Sequence, residues 1–139
     1  MSYSVKGSTI LTNITTFSGT DVQTTGGSGI LWSIGSVSVP ANGIYLFSGT
    51  YATNATAAVA ACYFIISTSS SLAGTQGLSG SNFPTGAVYY STLHYNSGGA
   101  CDGVGISYVA NPSTTTIYYL YGSAMGNGGQ YNIQVTRIG

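Results

Sequence analysis

Ser36-Val37-Ser38-Val39-Pro40-Ala41-Asn42-Gly43-Ile44-Tyr45-Leu46-Phe47 is the stretch on which the fold turns. Before Pro40, serine and valine alternate. That repeat of two gives a strand with one polar and one apolar face, not a helix. Pro40 presets the first corner of a turn, and Gly43 permits a positive φ at its close. After the turn, Tyr45, Phe47, Gly49 and Tyr51 share one face of a second strand. The segment is strand, tight turn, strand.

The same pattern extends in both directions. It predicts strands over 8–13, 30–39 (bent at Gly35), 44–53, 59–68, 87–96, 102–109, 115–124 and 131–138. In the seventh, Tyr119 and Tyr121 fall on one face and Tyr118 and Leu120 on the other. The segment 69–84 reads as a Ser/Gly loop, Ser97-Gly98-Gly99 as a turn, Asn111-Pro112 as a stop and Gly126-Asn127-Gly128-Gly129 as a hairpin turn. No stretch carries helical spacing, and no internal repeat or linker divides the chain. Eight short strands separated by turn residues predict an all-β antiparallel sandwich, with eight the jelly-roll number; periodicity alone leaves an up-and-down barrel open.

The chain has 139 residues, one domain's length, and only 3% of them are charged. The charged set is Lys6, Asp21, Asp102 and Arg137, with His94 the single histidine. That inventory excludes nucleic-acid binding through phosphate neutralisation, an acidic calcium cage and a polybasic membrane contact. No run is long and apolar enough for a membrane helix, and no signal peptide is evident, so synthesis in the cytoplasm is expected. Cys62 and Cys101 are expected as thiols, with a disulfide open if their strands are neighbours. The 12 tyrosines argue against disorder, and a net charge of zero favours association.

Catalysis has little to work with. A nucleophile–base–acid set can be written from Cys101 or a serine, His94, and Asp102 or Asp21, but any serine-rich chain permits such a set. His94 reads as a structural or surface residue, and the two aspartates as turn residues. The expectation is a protein that is not an enzyme and holds no metal and no cofactor. Trp32 and Tyr95 are candidates for stacking on a neutral glycan, with a core role for Trp32 as the alternative.

Val39-Pro40-Ala41-Asn42-Gly43-Ile44-Tyr45-Leu46-Phe47 resembles the V-P-x-x-G-x-Y-x-F signature of the tumour-necrosis-factor-like and complement globular-head jelly-roll superfamily. The C-terminal run Tyr131 to Gly139, ending Arg137-Ile138-Gly139, looks like the closing hairpin of viral members. Ile14-Thr15-Thr16-Phe17 fits their opening. The resemblance implies a jelly roll and a compact homotrimer with aromatic residues around the threefold axis. Tyrosine is enriched at interfaces because its ring buries area while its hydroxyl keeps a partner. Tyr45, Phe47, Tyr51, Tyr89, Tyr119 and Tyr121 are the seam candidates. Alternation fixes which residues share a face but not which face is the interface, so a role in the chain's own core stays open for each.

With no signal peptide and no collagen stalk, the resemblance points to the viral branch. The expectation is a homotrimeric phage capsid decoration or head fibre, with residues 1–12 as a candidate arm. Its partners would be itself and another virion protein. The alternatives are a fibre tip that recognises host-surface glycans and a self-assembling extracellular filament subunit.

Overall fold

The computed structural model describes residues 11–21, 31–54, 60–75, 84, 86–95, 104–124 and 127–139. The described residues form eight strands: β1 (Thr12–Asp21), β2 (Trp32–Val39), β3 (Tyr45–Asn54), β4 (Ala60–Ser67), β5 (Ala87–Tyr95), β6 (Val104–Ala110), β7 (Thr116–Ala124) and β8 (Asn127–Arg137). They form two four-stranded sheets, ordered β1-β8-β3-β6 and β2-β7-β4-β5, and every pairing is antiparallel. No helix occurs among the described residues. The all-β sandwich expected from the sequence is the fold observed. First pairs with last, second with seventh, third with sixth and fourth with fifth.

The core lies between the sheets. Val37 and Val39 from β2 meet Tyr45, Phe47 and Tyr51 from β3, Phe64 and Ile66 from β4, and Ile133 and Val135 from β8. Each of these side chains stabilises the fold by about 1.5–3 kcal/mol through lost apolar exposure. The rings meet edge-on or tilted, as their quadrupoles favour: Phe47 and Tyr118 lie 5.4 Å apart at 70°.

The turn after β2 departs from expectation in one detail. Asn42, not Gly43, takes the left-handed backbone, with φ of 61°. Asparagine tolerates that region. Gly43 is there for space, because a Cβ would lie 2.6 Å from Cζ of Tyr45, whose ring crosses it. The bend expected at Gly35 is a β-bulge: the register with β7 slips between Ser33 and Gly35, leaving Ile34 as the extra residue. Phe17 of β1 packs over Gly35 and closes that side of the sandwich.

Two boundaries are corrected. The first strand was expected over 8–13, but it runs Thr12–Asp21, and residues 1–10 are outside the described set, with most of the candidate arm. A bulge between Asn13 and Thr15 breaks the repeat of two, so Ile14 and Phe17 stand three apart and hide the strand pattern. The expected hairpin turn at 126–129 is largely strand, since β8 begins at Asn127. Gly129 pairs with Asp21 on one side and Thr53 on the other, and Asn127 pairs with Asn54 across a bulge that skips Gly128. The expected turn at 97–99 lies outside the described residues.

Candidate functional site

Four of the six seam candidates have no surface to offer a second copy. Tyr45, Phe47 and Tyr51 are 0% exposed and Tyr121 is 1% exposed within a single chain. This corrects the seam expectation for those four. The first three fill the space between the sheets. Tyr121 is on the outer face of the second sheet, where the segment 68–75 folds over it with Leu72, and its hydroxyl donates to the Ser69 carbonyl at 2.8 Å. Leu31 fastens that strap: its N–H donates to the Thr75 carbonyl at 2.9 Å, and its carbonyl accepts from Gly74 N–H at 2.8 Å. Tyr119 is partly buried beside this second cluster.

Tyr89 does something else. It is half-buried in β5, and its hydroxyl reaches across to β6, donating to the Gly105 carbonyl and accepting from Ser107 N–H, both at 3.3 Å. Ser91 adds a bond to the same carbonyl at 3.2 Å. The two sheets are stapled along this side.

Trp32 is half-buried, 6.0 Å from the ring of Tyr51 and 5.7 Å from that of Tyr131. It packs against the main core, which leaves only part of the indole open to a sugar. Tyr95 and His94 are in β5 beside Ala60 and Ala61 of β4, and Cys62 is in register with Leu93. The side chains of Tyr95, His94, Cys62 and Asp21 are outside the described set, as are residues Cys101 and Asp102 altogether. No cluster of three or more His, Cys, Asp or Glu occurs among the described residues.

Two surface features stand out on the first sheet. Its outer face carries rungs of hydroxyls and amides: Thr16, Gln134, Ser48 and Ser107 in one, Ser18, Asn132 and Thr50 in the next. Beside them an open depression of about 440 Å³ is lined by Gly19, Thr50, Ala52, Gln130, Tyr131 and Asn132. Gln130 and Asn132 are exposed, and none of the six residues is charged. Such groups donate and accept hydrogen bonds to a neutral polar ligand. The alternation Gln130-Tyr131-Asn132-Ile133-Gln134-Val135 shows this amide face in the sequence, but only pairing with β1 and β3 gives the amides their neighbours.

The second feature is an apolar margin on the same sheet. Leu11 is 66% exposed, Ile14 37%, Ile44 38% and Val109 54%. All four fall within two positions of the rung that joins Thr12, Arg137, Tyr45 and Ala110.

Burial raises the pKa of five tyrosines, Tyr63, Tyr90, Tyr108, Tyr118 and Tyr121, above the usual phenol value of 10.0. Loss of water around the ionised form is the leading cause in each. For Tyr108 the neighbouring Tyr118 adds to the rise. These phenols stay neutral and packed across the ordinary pH range.

Compared with known proteins, the chain matches no family model, no curated protein and no solved structure.

Proposed function

We propose that this chain is a non-enzymatic structural protein of a virus particle, a jelly-roll domain that decorates the capsid or forms a head fibre as a homotrimer. The observation that carries the reading is the pairing order, first with last through fourth with fifth. Jelly rolls are sandwiches of eight strands in two Greek keys, and viral capsid domains are prominent among them. The resemblance of residues 39–47 to the tumour-necrosis-factor-like signature points the same way. A fold does not fix a function, so the surface has to agree. The surface supports the reading: hydroxyls and amides line one outer face, and four of the six exposed large apolar side chains among the described residues gather along one margin, a surface suited to association.

The test is the native mass of the purified chain at micromolar concentration, in low and high salt. A mass of three chains, or of six where trimers pair, that persists in high salt is the expected result, because apolar contacts are not screened. A monomer in both overturns the trimer.

The depression beside Asn132 favours a second reading, recognition of a neutral host-surface glycan. Saturable binding on a glycan array, lost in Asn132→Ala, would support it. An array with no signal would leave structural decoration as the role.

A further inference from the structure

We infer that the free edge of β1, over residues 15–21, is a strand-pairing site for a second copy of this chain, with the two β1 strands antiparallel and Ser18 on the twofold axis. The inference adds a contact to the proposed assembly role and does not depend on a threefold seam.

The two edges of the first sheet are treated differently. At the β6 edge, the Gly105 carbonyl and Ser107 N–H point away from β3 and would otherwise be open. Tyr89 and Ser91 occupy them. At the β1 edge, no described residue bonds the backbone of 15–21 from the side away from β8. An edge strand with open N–H and C=O groups is a template for another strand unless lysine, proline or a bulge blunts it. Residues 15–21 are Thr-Thr-Phe-Ser-Gly-Thr-Asp, with no lysine and no proline, and the one bulge comes before them, at Ile14.

The run is compatible with itself. Its register with β8 is regular over 15–21, and full overlap of two such runs puts Ser18 opposite Ser18. Thr15 then faces the second copy's Asp21. The two Asp21 positions are at opposite ends of the pairing, about 20 Å apart at strand rise. Phe17 is level with the second copy's Gly19, which the Tyr131 ring of its own chain already covers, so the pairing exposes no bare glycine. Ile14, 37% exposed next to the run, adds apolar surface. The result is a closed, twofold contact that joins two four-stranded sheets into one and does not propagate.

Directly opposite residues in an antiparallel pair have Cβ atoms about 4.5–5.5 Å apart, near enough for a disulfide after slight adjustment. Ser18→Cys and Ser107→Cys are therefore oxidised mildly and run beside the unmodified chain on a non-reducing gel. The native mass of the unmodified chain and of Thr16→Lys is measured alongside, with circular dichroism to confirm that every variant keeps its β signal. Ser18→Cys is expected to form a covalent dimer that Ser107→Cys and the unmodified chain do not, and Thr16→Lys to at least halve the native mass. If Ser18→Cys forms no dimer while the unmodified chain is an oligomer, the edge pairing is wrong and the assembly reading stands. If the unmodified chain is a monomer and Ser18→Cys forms no dimer, both are wrong.

Discussion

The Tyr45 hydroxyl donates to the Pro40 carbonyl at 3.0 Å, so the first side chain of β3 closes the turn that leads into it. The ring lies over Gly43 on the way. Val39, Tyr45 and Phe47 are all 0% exposed, so the turn is anchored on both sides by core residues. Tyr45→Phe should lower stability by about 1 kcal/mol through the lost hydrogen bond. Gly43→Ala should cost about 1–3 kcal/mol, because the ring has nowhere to retreat. Urea unfolding measures both, and a Gly43→Ala variant as stable as the parent would show that the ring is free to move.

Gly49 is the more severe case. It is in the middle of β3 with φ of +148°, and a Cβ there would lie 2.8 Å from the Ile133 Cα and run into the Asn132 carbonyl. The obstacle is backbone on a paired strand. Gly49→Ala should destabilise by more than about 4 kcal/mol, in the range of the most damaging single substitutions. Recovery from the insoluble fraction and a lost unfolding transition are the expected readouts.

Tyr89→Phe removes the hydroxyl that serves Gly105 and Ser107 while keeping the ring against Phe64 and Tyr108. Stability should fall by about 1–2 kcal/mol. The β6 edge would also be opened, so light scattering on heating should rise more steeply than for the parent. Unchanged scattering would show that Ser91 alone protects that edge.

Leu72 holds the strap over Ile65 and Tyr121. Leu72→Ala should cost about 2–4 kcal/mol and leave the two sheets paired. Faster hydrogen exchange confined to residues 68–75 and the outer face of β4 and β7 would distinguish strap release from global loosening.

The pH profile follows from the raised phenols. A folded pKa above the unfolded value of 10.0 means the unfolded chain loses its protons first. These groups therefore contribute their full stability below pH 10, and that contribution is lost as pH rises through the higher folded values. With four charged side chains and one histidine in the chain, stability should be nearly flat from mildly acidic to mildly alkaline buffer. It should then fall above pH 10. Melting temperature against pH checks this, and a large drop between mildly acidic and neutral buffer would contradict it.

The strand count and most boundaries were legible because alternation survives wherever a strand has one core face. Val37, Val39, Tyr45 and Phe47 show it without interruption. It failed at Ile14, where a bulge adds a residue, and at Asn127–Gly129, where Gly129, read as part of a turn, is held by strands on both sides. Neither is visible locally. The uncharged character of the outer face was also legible, in Gln130, Asn132 and Gln134. The roles of the tyrosines were not.

The sequence by itself determined an all-β chain of eight strands, a tight turn at 40–43 and a surface nearly free of charge. Each follows from side-chain type and a repeat of two along a single strand. Only the tertiary structure decided that Tyr45, Phe47 and Tyr51 are core and that Tyr89 seals one edge. Those facts depend on which strands become neighbours, and strand neighbours are set by contacts between residues far apart in the chain, which no local repeat records.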